Sequence, residues 1–223
     1  CTGAGEMHLC NTPSSLHAEG EKIYNSTQLI GTLYNKHLSR PHNLVNVCMA
    51  LSVIDKLGLD TKAALAAMDD FEGLPHRQQE LGEKDGILFV NDSISTTPQS
   101  AIAALEVYRD KPVTIILGGY DRGIDYTPLV NYLLQNQTHA VICMGASGTR
   151  IADALRQSRK ENLFMAESME ATVTLARQNT PAGGVVLLSP AAPSYGLFRD
   201  FIERGQKFAS ACGFSSVFES AAQ

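Results

Sequence analysis

The chain has 223 residues, 44% hydrophobic and 18% charged, with a formal net charge of −5. This is an ordinary globular balance, and it excludes a nucleic-acid binder that relies on bulk positive charge. No run of about 18 apolar residues occurs, and no basic-then-apolar leader opens the chain, so neither a membrane span nor a signal peptide is expected.

The first residues, "CTGAGEMHLC", carry no initiator Met. The chain is expected to begin partway through a longer protein. Residues 1–40 show no sustained period. "EKIYNSTQLIG" and "TLYNKHLS" are expected as short strands. From Asn43 the pattern becomes helical: Leu44, Val47, Cys48, Leu51, Ile54 and Leu57 keep to one face. "LGLD" then ends this helix and offers Asp60 as the N-cap of a short Ala-rich helix, reaching about Asp70. "FEGLPHRQQEL" reads as a connector with Pro and Gly, and places a domain boundary near residue 72.

Beyond the connector the pattern is regular. Apolar runs are "ILFV" (87–90), "VTIIL" (113–117), "AVICM" (140–144), "LFMA" (163–166) and "VVLLS" (185–189). Helix-like stretches lie at 98–108, 127–136, 148–158, 168–178 and 197–211. This alternation predicts an α/β fold with a mostly parallel sheet and helices on both faces. Ligands in such sheets sit outside the carboxyl ends of the strands. Those ends read "NDSISTT", "GGYDRG", "MGASG" and "SPAAPS", all small or polar. Thr97 and Pro98 are explained as a helix cap and first turn. That leaves Asp92, Ser93 and Thr96 without a purely structural reason.

Several motifs narrow the chemistry. "GGYDRG" lacks the spacing of a dinucleotide loop, and "GASGTR" lacks the Lys-Ser/Thr of a phosphate-binding P-loop. No G-x-S-x-G elbow surrounds Ser189 or Ser194. The five cysteines, at 1, 10, 48, 143 and 212, show neither C-x-x-C nor a neighbouring His cluster. A disulfide framework or zinc site is therefore not expected, and scattered thiols suit the cytoplasm. Arg77 in the connector is either a solvated charge or a phosphate ligand. Phe198, Phe201, Ile202 and Phe208 follow helical spacing and are read mainly as core.

Five stretches then occur in order: "SRPHNLVNVCMALSVIDKLGL", "FEGLPHRQQEL", "GILFVNDSISTTPQSAIAAL", "VTIILGGYDRGIDYTPL" and "LLSPAAPSYGLFRDFIERGQKF". Together they resemble the glutamate-adding branch of the Mur ligase family of peptidoglycan synthesis, from about Ser39 to Phe208. The resemblance implies a Rossmann-like C-terminal domain at 73–223, preceded at 1–72 by the tail of a central ATPase domain. The implied activity is ATP-dependent addition of D-glutamate to UDP-N-acetylmuramoyl-L-alanine, through an acyl phosphate that the site must shield from water.

By this resemblance Asn43 and Asn46 contact adenine, Arg77 reaches the nucleotide phosphates and Asp92 holds the ribose. Thr96, Ser194 and Phe201 line the glutamate pocket. The implied cofactors are ATP and Mg2+, and the implied partners are small molecules only: ATP, glutamate and the UDP-sugar. Neither nucleic acid nor membrane is expected to bind, and a cytoplasmic monomer is expected. No catalytic residue or metal ligand is expected within these 223 residues. The P-loop, the metal ligands and a carbamylated lysine belong to parts the chain does not include.

Three departures from the family pattern surround the amino-acid pocket. Ile94 replaces a Lys, Arg122 stands where Lys is frequent, and Tyr195 stands where Leu is common. Arg122 is expected to take over the glutamate carboxylate, with Tyr195 beside it. L-glutamate or another amino acid is therefore the alternative substrate, and a free-standing nucleotide-binding module is the alternative class. The ending "SPAAPSYGLF…RG" argues against a folylpolyglutamate synthase.

Overall fold

The computed structural model describes residues 10–136 and 138–215. The chain forms two compact units, Cys1–Gly73 and Leu74–Gln223.

The first unit has a three-stranded antiparallel sheet: β1 (Leu16–Glu19), β2 (Lys22–Asn25) and β3 (Gln28–Thr32). The stretch "EKIYNSTQLIG" becomes β2, a turn and β3. The second expected strand, "TLYNKHLS", does not form. Asn35 competes for its backbone instead: Oδ1 accepts from His37 N and Leu38 N, while Nδ2 donates to the carbonyls of Asp69 and Phe71. Such local side-chain bonds pull a segment out of a strand. Helix α1 (Pro41–Lys56) starts on Pro, whose missing N–H costs nothing in a first turn. Its inner face, Val47, Cys48 and Leu51, packs with Leu16, Ile23, Leu33 and Leu65. Leu57 lies past the helix end and is exposed. Asp60 caps α2 (Thr61–Ala67), accepting from Lys62 N and Ala63 N, and a 3-10 turn follows at Met68–Asp70.

The second unit is built on a six-stranded sheet. Its strands are β4 (Gln79–Lys84), β5 (Ile87–Asn91), β6 (Val113–Leu117), β7 (Ala140–Cys143), β8 (Leu163–Met165) and β9 (Val185–Leu188). Their spatial order is β4-β5-β9-β6-β7-β8. All pairings are parallel except β4 with β5. β4 lies in and beyond the stretch read as a connector. Its sequence, "QELGEK", is polar because it is an edge strand, so it lacks the apolar run that marks the others.

Successive strand residues feed opposite core layers. Ile115, Val141 and Leu187 meet α3 (Pro98–Val107), α4 (Thr127–Gln135) and α5 (Gly145–Gln157). Ile116, Ile142 and Leu188 meet α6 (Met169–Gln178) and α7 (Phe201–Ala211). Each fully buried Val, Leu or Ile contributes roughly 1.5–3 kcal/mol. Burial on both faces is why these strands read as unbroken apolar runs.

Two helix starts differ from the sequence reading by three residues or more. α5 begins at Gly145 rather than 148, because Ser147 donates through both N and Oγ to the Gly119 carbonyl and draws the glycine-rich turn into the helix. α7 begins at Phe201 rather than 197, capped by the Asp200 carboxylate on Glu203 N at 2.8 Å. Cys10, Cys48, Cys143 and Cys212 are unpaired thiols.

Candidate functional site

The strand order places a crevice. Chains leaving β5 and β6 cross to the face covered by α3, α4 and α5, whereas the chain leaving β9, between them, crosses to the α6–α7 face. Loops diverging from neighbouring parallel strands leave an opening at their carboxyl ends. Three loops meet there: 92–97 after β5, 118–126 after β6 and 189–200 after β9.

Asp92 extends the β5–β9 ladder, its N–H donating to the Leu188 carbonyl at 2.8 Å. Its side chain is buried. Oδ2 accepts from Ser95 Oγ at 2.5 Å and from Ser189 Oγ at 2.7 Å, and Oδ1 accepts from Gln78 N at 3.1 Å. The carboxylate is therefore engaged by three donors within the fold. Burial pushes the Asp92 carboxyl above its ordinary value. Its hydrogen bonds to Ser95, Ser189 and Gln78, and the Arg77 charge, work the other way. Arg77 itself is exposed.

The raised value has a consequence for stability. The folded unit binds this proton more tightly than the unfolded chain, whose carboxyl titrates near about 3.9. Stability from Asp92 is full below that value and is lost as pH rises through the raised folded one. Asp92→Asn removes the titration. Its melting temperature relative to the parent should climb as pH goes from about 4 to about 7, measured by thermal melts. Parallel curves would remove this account of Asp92.

The segment before β4 is under backbone strain. His76 and Gln78 both have positive φ, at 60° and 45°, as does Ala191 at 56° in the loop after β9. Non-glycine residues in this region cost energy and cluster at ligand clamps. His76 is buried, with Asn91 Nδ2 3.0 Å from its Nδ1 and its ring edge-on to Phe201 at 5.8 Å between centroids.

Arg122 and Thr96, assigned to one pocket on sequence grounds, do come together. Arg122 donates to the Thr96 carbonyl at 3.0 Å. The carboxylates that would have held Arg122 in a simple turn have other partners. Asp121 accepts from Gly123 N at 2.8 Å and Arg150 at 2.6 Å, and Asp125 accepts from Thr127 N at 2.9 Å. Ser194 is buried on the adjoining loop, while Tyr195 is exposed with its ring edge-on to Tyr120. Phe201 contributes its carbonyl, which accepts from Ser93 Oγ at 2.8 Å. Asn43 and Asn46 belong to the first unit, one turn apart on α1. There the Asn43 amide donates to the His37 carbonyl at 2.7 Å.

One residue of the site escaped the sequence reading. Arg204 is fully buried and donates to Ser93 Oγ, Ser93 O and Ala192 O. A signal did exist. Arg204, Gly205, Phe208 and Ala209 form the buried stripe of α7, with half-buried Phe201 one turn before it, at spacings of three and four. A charged residue on such a stripe has a partner inside. Among the described residues no group of three or more His, Cys, Asp or Glu is placed to hold a metal ion. None of the described helices is long and apolar enough to cross a membrane.

The parallel sheet, the crossover point and the polar loops at its carboxyl edge define a Rossmann-like ligand-binding domain. The family model described as "Mur ligase, glutamate ligase domain" matches residues 76–192. The chain belongs to the Mur ligase family. It is 39% identical over 220 residues to the UDP-N-acetylmuramoyl-L-alanine–L-glutamate ligase of Xanthomonas campestris pv. campestris, covering 97% of this chain and 47% of that protein. The ligase of the same name from Salinispora tropica is 45% identical over 174 residues, covering 76% and 39%. Among solved structures, the MurF ligase of Thermotoga maritima in complex with ADP aligns with a TM-score of 0.57 at 15% identity, covering 88% and 44%. The chain thus spans about half the length of the curated relatives it matches. Ser194, Tyr195, Phe201 and Arg204 lie beyond the stretch matched by the family model.

Proposed function

We propose that this chain forms the amino-acid-holding part, and the end of the ATPase part, of a ligase that joins L-glutamate to UDP-N-acetylmuramoyl-L-alanine at the expense of ATP. The observation that carries the reading is the name shared by relatives from Xanthomonas and Salinispora, both for L-glutamate. It favours the alternative held open above over D-glutamate. The departures at Ile94, Arg122 and Tyr195 support that choice, since all three lie where the amino acid is expected.

In this reading Arg122 meets the glutamate side-chain carboxylate, and Thr96, Ser194 and Tyr195 fix its orientation. Arg can grip a carboxylate with two parallel bonds, which the more usual Lys cannot. Phe201 closes the pocket from α7. Asp92 and Arg77 hold the nucleotide. ATP, with a divalent cation held by residues outside this chain, supplies the activating phosphoryl group. The residues present fit a nucleotide only in part. Arg77 is an exposed cation at a strained turn beside a buried carboxylate, but Asp92 must share oxygens already in use. The chain's own work is positioning and charge compensation in a closing site.

Residues 1–223 contain no P-loop, so this chain alone should release no phosphate from ATP when given glutamate and UDP-N-acetylmuramoyl-L-alanine. The intact protein should do so with L-glutamate, and faster than with D-glutamate. Product formation assayed with each enantiomer tests both statements. Preference for D-glutamate would overturn the stereochemical choice. No ligation with either would overturn the reading.

A further inference from the structure

Arg204 is an internal cation without a carboxylate partner among the described residues. Its Nε donates to Ser93 Oγ at 3.0 Å, NH2 to the Ser93 carbonyl at 2.7 Å and NH1 to the Ala192 carbonyl at 3.0 Å. Ser93 belongs to the loop after β5 and Ala192 to the loop after β9. The loop after β6 closes the triangle. There Tyr120 N donates to the Pro193 carbonyl at 2.8 Å, and a Cβ built on Gly119 would stand 3.1 Å from Arg204 NH1. One guanidinium, rooted in α7, thus fixes two of the three loops and lies close beside the third.

We infer that Arg204 is a positioning residue for the amino-acid pocket, holding the loops that carry Thr96 and Ser194 in register before the substrate arrives. This rests on the ligase reading above. A fully buried charge is costly to keep, so a role in packing alone would favour an apolar side chain of the same length. Only the planar fork reaches a hydroxyl and two carbonyls on separate loops at once. The nucleotide side is less dependent on it. Asp92 is also held by Gln78 N and by the β9 carbonyl of Leu188, neither of which lies in a loop that Arg204 bonds. Displacing a substrate-positioning loop by about 1 Å can cost up to ~100-fold in rate.

The test uses the intact ligase carrying Arg204→Lys or Arg204→Met. Expected for both is a rise of about tenfold or more in the KM for glutamate, with the KM for ATP changed less than about threefold. Lys keeps the charge without the fork, so it should recover little. Methylguanidinium added to a shorter variant, Arg204→Ala, should restore part of the glutamate affinity. Thermal melts report how much folded protein each sample holds. Unchanged glutamate KM in folded Arg204→Lys and Arg204→Met would overturn the inference. So would a fall in activity matched by loss of folded protein, with both KM values intact. A parent enzyme that ligates no glutamate would overturn this together with the ligase reading, and is recognisable because the parent itself fails.

Discussion

Arg122→Ala in the intact enzyme should lower kcat/KM for glutamate by roughly 100-fold or more while leaving the KM for ATP near the parent value. In the proposed reaction, glutamate brings a carboxylate that is not consumed. Inside a site that excludes water, this group needs a cation, or its lost hydration goes uncompensated. Ile94 cannot provide one. Arg122 is exposed, points back across the crevice to the Thr96 carbonyl at 3.0 Å, and is not held by either neighbouring Asp. Removing one partner of such a pair costs about 2–5 kcal/mol, and each 1.4 kcal/mol is tenfold in rate. Arg122→Lys should recover part of the loss, because it keeps the charge and gives up the second hydrogen bond. Steady-state kinetics with glutamate and ATP varied separately decide the matter. Parent-like glutamate kinetics in Arg122→Ala would show that this side chain serves only to brace the loop.

A large effect on folding is expected at Gly119. Its φ is +156°, and a Cβ there would lie 2.1 Å from the Pro193 carbonyl oxygen. That neighbour is backbone in a loop bonded to Tyr120 N and, one residue earlier, to Arg204, so it cannot yield cheaply. Gly119→Ala combines an unfavourable backbone region with an overpacked contact, each worth about 1–3 kcal/mol. The melting temperature of the folded chain should drop by about 10 °C or more. Gly123→Ala is the matched control. It also has positive φ, +72°, but a Cβ there meets nothing within 4 Å. Equal losses at the two positions would show that backbone conformation, not the close approach of two loops, sets the cost.

The parts of this fold that were legible share one property. β5, β6, β7 and β9 are covered on both faces, so burial writes itself into the sequence as unbroken apolar runs. β4 is an edge strand whose residues are mostly polar, with only Leu81 packed against the core, and β1 is four residues long. Neither has enough buried surface to leave a pattern. The candidate site was legible as an edge, because parallel sheets place ligands at the carboxyl ends of their strands. Its internal wiring was not. Arg122 does meet Thr96, but through the backbone carbonyl rather than the hydroxyl. Asp92 reads as a free carboxylate, yet Ser189, 97 positions away, is bonded to it. Arg204 is marked by its place on the buried stripe of α7, yet its spacing does not name Ser93 and Ala192 as its partners. These pairings depend on loop approach between distant segments, which no spacing rule encodes.

The position of β9 has a consequence for how the second unit comes to exist. The last strand in chain order among the described residues is the one that lies between β5 and β6, pairing with both. Until residues 185–188 arrive, the hairpin β4–β5 and the ribbon β6–β7–β8 have no shared ladder. Synthesis therefore delivers two incomplete half-sheets with exposed inner edges, and a single late segment welds them. Non-local closure of this kind is slow compared with hairpin or helix formation. Truncation anywhere before Val185 leaves the halves unjoined, whatever each has buried by itself. The loop that completes the crevice is carried on that same segment, so the ligand-binding edge and the continuous sheet come into being in one step.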